Sequence, residues 1–135
     1  MSYIIETDNF KLKIEPELFQ DSNSCLVNTI IESSGYIGIA TLDVNFDDFI
    51  KFVQDIKIMN ETLKGEANLT EQFGQKMCIN FSAQNTGIIK VQGYMYSSQN
   101  GNVNKLFFEN EFEPTYLDFF VSKLENNFEQ IDSGY

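Results

Sequence analysis

Two groups of acidic residues have the types and spacing best suited to chemistry. The first, Asp43-Val-Asn45-Phe-Asp47-Asp48, opens like the D-x-N-x-D start of a calcium loop. Asp48 stands where that loop requires Gly, and Gln54 stands where it requires a bidentate Glu. Asn45 is instead suited to cap a helix, with the two following aspartates at the positive end of the helix dipole. We therefore expect a helix start here, and neither a metal nor another cofactor.

The second group lies on a predicted strand. Glu109, Glu111 and Glu113 alternate with Phe108 and Phe112, which places three carboxylates on one face and aromatic rings on the other. Paired carboxylates can hydrolyse a glycoside. That reaction needs a sugar-sized cleft and one carboxyl group with a raised pKa, and three adjacent exposed acids indicate neither. The pattern favours a solvated acidic face, or a face that docks Lys or Arg side chains of a partner.

The charge balance narrows the class of partner. The net charge is −11, and all nine basic residues are Lys. From Glu109 onward there are seven acidic residues against Lys123 alone. This charge disfavours nucleic acid and anionic membranes and favours a basic protein. The candidate partner-binding residues are Asp43, Asp47, Asp48, Glu109, Glu111, Glu113 and Asp118. They form one negative surface only if the strand and helix ends that carry them meet on one side of the sheet.

Several enzyme classes are excluded by composition. The chain has no His, which removes Ser-His-Asp and Cys-His catalysis and HExxH zinc sites. Cys25 and Cys78 are far apart and outside any CxxC motif, so each reads as a small buried hydrophobe, and a disulfide between them is left open. No apolar run is long enough to span a membrane, and Met1–Phe10 lacks the basic start of a signal peptide. We predict a cytoplasmic protein that is not an enzyme.

The clearest element is a helix from Asn45 to Gly65. Apolar residues recur there at the spacing of one helical face, and Gly65 suits the left-handed position after the helix. Thr115, with Asp118 three residues later, resembles the capping box of a second helix. A stripe as apolar as that of the first helix has to be covered by the surrounding strands.

Alternating patterns predict the strands on either side of that helix. Before it we expect Tyr3–Glu6, Phe10–Ile14, Cys25–Glu32 and Tyr36–Val44, with Glu15–Ser24 as a loop; after it we expect Glu66–Thr70 and a meander of Met77–Ser82, Ile88–Ser97 and Val103–Phe112. Asn100-Gly101 is the turn of the last hairpin. Gly38 and Ala40 suit close approach of a neighbour, and Gly93 suggests a bulge. The prediction is one α+β domain, residues 1–135, with two helices on an antiparallel sheet of about seven or eight strands. A sandwich or half-barrel is left open, and no internal repeat is visible.

Four segments together form a recognisable pattern: Leu63-Lys64-Gly65, Gly87-Ile-Ile-Lys-Val-Gln-Gly93, Leu106-Phe-Phe-Glu-Asn-Glu-Phe112, and Thr115-Tyr-Leu-Asp-Phe-Phe120 with Leu124. This pattern resembles the WapI-type immunity proteins of bacterial polymorphic-toxin and contact-dependent inhibition systems. The resemblance is best over Phe49–Phe128. It implies a small, cytoplasmic, non-enzymatic protein that protects a cell by binding a cognate toxin domain, and it supplies no catalytic residues.

We therefore expect an immunity protein that neutralises a basic, nuclease-like toxin domain by direct non-covalent docking. The first alternative is an intracellular carbohydrate or small-molecule binding domain, with Tyr and Asn lining a sheet concavity. A carboxylate-only enzyme and a homo-oligomerisation module are further alternatives, and a homo-oligomer is also compatible with the immunity function. Tyr94, Tyr96 and Tyr116 are candidate anchors of an interface.

Overall fold

The chain builds the same order of elements twice, each time a four-stranded antiparallel meander followed by a helix. The computed structural model describes residues 1–19, 23–74, 76–99 and 102–133. Sheet A comprises β1 (Tyr3–Glu6), β2 (Phe10–Phe19), β3 (Ser24–Ser33) and β4 (Tyr36–Asn45), and α1 (Phe46–Thr62) follows it. Sheet B comprises β5 (Glu66–Thr70), β6 (Met77–Ala83), β7 (Ile89–Gln99) and β8 (Asn102–Phe112), and a 3₁₀ turn (Pro114–Leu117) leads from it into α2 (Asp118–Ser133). In each sheet the strands lie side by side in chain order.

The α+β class is confirmed, with eight antiparallel strands and two helices. The strands are divided between two sheets. The two halves have the same topology, although the sequence shows no internal repeat. The Asn100-Gly101 turn expected between β7 and β8 lies outside the described residues, but the pairing of the two strands as a hairpin is observed. The first half also contains more strand than expected.

The predicted loop from Glu15 to Ser24 is wrong over its first part, because β2 continues through Pro16 to Phe19 and pairs with β3. Proline has no N–H and is tolerated in a sheet only where that donor is not needed. β1 begins at Tyr3, which lies opposite Ile14, so from Glu15 onward one edge of β2 has no neighbouring strand. Pro16 lies on this open stretch, which is why it does not break the strand.

Both helices join one core with the inner faces of the two sheets. α1 buries Phe49, Ile50, Phe52, Val53, Ile56 and Met59. The Phe52 ring lies 6.2 Å from Phe81 of β6, and the Phe49 ring lies 5.1 Å from Phe128 of α2, edge to face. Burying such a side chain is worth roughly 1.5–3 kcal/mol, so these rings hold the helices in place.

The helix ends match the expectations only in part. Asn45 caps α1, since its Oδ1 accepts a hydrogen bond of 2.9 Å from the Asp47 N–H. Leu63 takes the left-handed conformation that ends this helix, at φ 57°, two residues before Gly65. The capping box predicted from Thr115 is wrong, because the chain first makes a tight 3₁₀ turn at Pro114–Leu117 and α2 begins only at Asp118. No side-chain hydrogen bond caps that turn.

Two glycines allow the sheets to pack closely. A Cβ at Gly38 would collide with Sδ of Met95, which confirms that β4 lacks bulk where a neighbour approaches. A Cβ at Gly93 would collide with the backbone carbonyl oxygen of Cys78 and would lie 2.9 Å from the Phe108 ring. The pairing of β7 is regular at Gly93, so the expected bulge is absent and this glycine serves close packing instead.

A stack of aromatic rings joins the two halves at the end of sheet A where β2 begins and β3 ends. Phe10 of β2 stacks between Phe108 and Phe112 of β8, with ring centroids 6.2 and 6.3 Å away. Beside them the Asn110 side-chain amide donates a hydrogen bond of 2.8 Å to Ser33 Oγ. These contacts place the inner face of β8 against sheet A and turn the outer face of β8 to solvent.

Candidate partner-binding surfaces

The β8 carboxylates lie on the outer face of sheet B. Glu109 and Glu111 are exposed and stand opposite Gln92 and Lys90 of β7. Lys90 Nζ lies 3.1 Å from Glu109 Oε1, and 59% of the Glu109 side chain remains exposed. Such a surface ion pair contributes at most about 1 kcal/mol. Glu111 has no ion-pair partner among the described residues, so at least one carboxylate of this strand is uncompensated.

An aromatic pair lies beside these carboxylates. The rings of Tyr94 and Phe107 are 6.3 Å apart, and Phe107 is 71% exposed. Together with Asn80 and Gln92 they line a depression of about 560 Å³. Glu109 lines the same depression. The Tyr and Asn side chains expected to line a small-molecule site therefore lie on the same surface as the acidic strand. This mixed polar and aromatic surface has the composition of a protein interface.

The other candidate tyrosines are less prominent. Tyr96 is half-buried, and the ammonium group of Lys105 lies 5.8 Å from its ring. Tyr116 is 44% exposed and meets the Phe112 ring edge to face at 6.3 Å. Both rings therefore have intramolecular contacts that account for their positions.

The second acidic group lies at the junction of β4 and α1. Asp47 and Asp48 are exposed in the first turn of α1, where negative side chains are favourable at the positive helix end. Asp43 is half-buried and already has a structural contact, since its Oδ1 accepts a hydrogen bond of 2.8 Å from Gln72 Nε2. Its backbone oxygen accepts a second bond, of 2.9 Å, from the Gln72 N–H. Asp43 thus fastens the segment after β5 to sheet A.

The structure does not bring the two acidic groups together. Asp43 is bonded to the segment that follows Thr70, at one end of β5, whereas Glu111 is in register across sheet B with Glu66 at the other end. β5 and β8 are opposite edges of this sheet. Three strand spacings put them about 14 Å apart. The single negative surface considered from sequence is therefore two surfaces, and the binding role of each stays a prediction.

Glu113 and Asp118 extend the β8 group toward α2. Glu113 follows β8 directly, its backbone oxygen accepts a hydrogen bond from the Tyr116 N–H at 3.1 Å, and its side chain is exposed. Asp118 is exposed at the first position of α2. We call Glu109, Glu111 and Glu113 the acidic β8 strip, with Asp118 at its far end.

Sequence reasoning missed a third surface at the free edge of β4. Tyr36, Ile37 and Ile39 are 69%, 64% and 75% exposed. A groove of about 330 Å³ runs beside them, with Tyr96, Lys105 and Leu106 on its far side. The sequence did contain a signal for this surface, because Gly38 and Ala40 alternate with the large apolar residues. Small side chains on the packed face of β4 imply that the large side chains lie on its solvent face.

The described residues hold no group of three or more Asp, Glu or Cys side chains arranged to bind a metal ion. Both cysteines are free. Cys25 is buried, and desolvation by burial raises the pKa of its thiol to about 12, so it is an inert thiol at neutral pH. Cys78 is half-buried, and its sulfur accepts hydrogen bonds of 3.4 Å from Asn68 and Thr70. Within the described part of the chain, neither helix is long and apolar enough to cross a bilayer.

The fold is an α+β arrangement whose last strand carries exposed carboxylates on its outer face. A model of the WapI-like immunity protein family matches residues 3–132, and the chain belongs to this family. The resemblance drawn from the sequence is thereby confirmed over nearly the whole chain. An immunity function, with a cognate toxin as the partner, follows from this membership.

Two solved structures share the fold. A chain of the Trypanosoma bruciei MRP1/MRP2 crystal structures matches with a TM-score of 0.52 at 9% identity, covering 99% of this chain and 85% of that one. The plant transcriptional regulator PBF-2 also matches at 0.52 and 9% identity, covering 93% of this chain and 79% of that one. At this identity the likeness concerns the fold alone. No curated protein matches the sequence.

Proposed function

We propose that this protein protects its cell by binding a cognate toxin domain in the cytoplasm and neutralising it through direct, non-covalent docking. The observation that carries the proposal is the family match over residues 3–132. The proposal needs no catalytic step by the immunity protein. The lack of His supports that view, because the usual proton shuttle at neutral pH is missing.

The toxin domain is proposed to be basic, as a nuclease is. A net charge of −11 supports this choice, since opposite charge speeds the encounter of two proteins. The acidic β8 strip is the proposed contact. Glu109 lines the same depression as the exposed Phe107 ring and the Tyr94 ring, so charge and aromatic area lie on one face. Such a combination supplies both steering and an anchor.

Binding is tested first with purified components. The immunity chain and the toxin domain encoded beside it are mixed and passed through a sizing column. We expect a stable complex and loss of toxin activity on its substrate. Separate elution of the two proteins, with the toxin still active in the mixture, would disprove the proposal.

The contact surface is tested with two matched double variants. Glu109→Gln with Glu111→Gln removes two of the three carboxylates of the acidic β8 strip, and Asp47→Asn with Asp48→Asn removes the same amount of charge at the start of α1. We expect the first pair to slow association severalfold and to flatten its salt dependence, while the second pair has a smaller effect. Equal effects would mean that overall charge, and not this face, guides the encounter. The melting temperature of each variant shows that the fold is retained.

A further inference from the structure

We propose that the free edge of β4 pairs with the β4 edge of a second copy of this chain, which joins two copies of sheet A across a twofold axis. The proposal concerns the surface that the acidic β8 strip leaves unused. It does not depend on the identity of the toxin.

The backbone of β4 has unused hydrogen-bonding groups on its outer side. Within β4 successive residues point their N–H and C=O groups alternately toward β3 and away from it. The carbonyl of Asp43 accepts its hydrogen bond from Gln72, which lies on the side away from β3. Ile39 and Ile37 precede Asp43 by four and six residues, so under this alternation their backbone groups also point away from β3. No described residue bonds to those groups at Ile37 or Ile39. An edge with unpaired backbone groups is a template for another strand.

The side chains of this edge lack the features that prevent an edge strand from pairing with another chain. Monomeric proteins protect such edges with Lys, Pro, bulges or a covering element. Tyr36–Leu42 contains no charge and no proline, and its pairing with β3 is regular throughout. Its large apolar side chains are instead 64–75% exposed at Tyr36, Ile37 and Ile39.

Charge selects a second copy over a basic toxin as the occupant. Two copies of a chain with a net charge of −11 repel each other through most of their surfaces. The segment Tyr36–Leu42 carries no charge, and the groove beside it is lined by one charged residue, Lys105, so the paired segments do not add to this repulsion. The nearest acids, Glu6, Asp8 and Glu32, line the depression on the other side of Ile37. A basic toxin gains no carboxylate from the segment itself, whereas the β8 strip offers several.

The edge is complementary to itself in an antiparallel register centred on Ile39. Ile39 then lies opposite Ile39 of the partner subunit, and Ile37 lies opposite Thr41 of the partner subunit. The backbone groups of all three residues point outward, so each exchanges a pair of hydrogen bonds across the seam. Gly38 and Ala40 oppose each other on the inner face, where small side chains leave room for the Met95 side chain of each subunit.

Mass in solution is the primary test. By sedimentation equilibrium over a range of concentrations, we expect the unaltered chain to reach twice its 15.5 kDa mass. Ile39→Lys places two ammonium groups face to face at the axis and should give the single-chain mass. The matched control is Ile58→Lys, since Ile58 is another exposed isoleucine (53%) but lies on α1. This control should remain a dimer.

A cysteine cross-link tests the register independently of affinity. In a Cys78→Ser background, Ile39→Cys brings two thiols to a hydrogen-bonded pair position, where Cα atoms lie about 5.5 Å apart, within disulfide range. We expect a reducible covalent dimer with Ile39→Cys and none with Ile58→Cys. A single-chain mass at all concentrations together with no Ile39→Cys cross-link would refute the proposal. A dimer that survives Ile39→Lys would refute it too, as would a monomer in which Ile39→Lys weakens toxin binding.

Discussion

β4 and β8 occupy the same place in the two halves of the molecule and carry opposite chemistry. Each is the last strand of its meander and forms one edge of its sheet. The exposed side chains of β4 are apolar over Tyr36–Ile39, whereas those of β8 include Glu109 and Glu111. The fold gives both halves an exposed final strand, but the side chains decide which kind of partner each strand suits. Under the two proposals above, one edge pairs with a copy of the same acidic chain, and the other strand docks a chain of opposite charge.

The largest expected effect concerns the contact that joins the two halves. Phe10→Ala removes the ring stacked between Phe108 and Phe112 and should cost about 3–5 kcal/mol of unfolding free energy. Phe107→Ala, at a 71% exposed ring on the same strand as those two, should change stability by no more than about 0.5 kcal/mol. Urea unfolding measures both. Similar values for the two variants would show that the halves do not depend on the Phe10 stack.

The next comparison uses one glycine from each half. Gly93→Ala pushes a methyl group into the carbonyl of Cys78, which is backbone and cannot move aside, so we expect a loss of about 3 kcal/mol or more. Gly38→Ala meets the flexible Met95 side chain and should cost about 1 kcal/mol. Chemical denaturation ranks the two variants. The reverse order would mean that β7 adjusts more easily than Met95 does.

The two helix starts offer a smaller contrast. Asn45→Ala removes the hydrogen bond to the Asp47 N–H and should lower stability by about 1 kcal/mol. Glu113→Ala, at the corresponding position before the 3₁₀ turn, removes no capping bond and should leave the melting temperature nearly unchanged. If both changes had the same effect, the cap would not be the reason that α1 begins where it does.

The smallest effect is a pH dependence on sheet A. Hydrogen bonding to Lys13, whose Nζ lies 3.0 Å from the carboxylate, lowers the pKa of Glu15, and a hydrogen bond from Ser2 adds to this effect. A lowered pKa in the folded state contributes stability that is present above the unfolded value of about 4.5 and is lost as the pH falls through the folded value. We expect Lys13→Met to raise the pKa of Glu15 in an NMR titration. An unchanged titration would show that the ion pair is not formed in solution.

Local patterns were sufficient to predict α1 and most strands. The recurrence of apolar residues along Asn45–Gly65 and the alternation along Met77–Phe112 reflect the one-sided burial of each element. The cap at Asn45 and the close packing at Gly38 also followed from residue type. The predictions from local sequence were wrong at positions where the conformation depends on a neighbouring strand or side chain. Pro16 stays in a strand because β1 does not extend alongside it, and Gly93 allows close packing against the Phe108 ring and does not form a bulge.

The layout of the candidate site could not be predicted, because it depends on pairing between distant segments. The acids at Asp43 and at Glu111 are separated by the order of the strands in sheet B, which no residue near either of them encodes. The exposed edge at Ile37 and Ile39 has the same cause, since a run of apolar residues in the sequence resembles a buried strand until its neighbours are known.

The contact between β1 and α2 has a consequence for the timing of synthesis. The Tyr3 ring lies 5.9 Å from the Phe128 ring, and Lys123 Nζ donates a hydrogen bond of 2.7 Å to the backbone oxygen of Ser2. When only the first meander and α1 have emerged from the ribosome, β1 is therefore not yet covered by α2. The nascent first half keeps an open apolar face until α2 emerges, so the complete core forms only after this last helix has been translated.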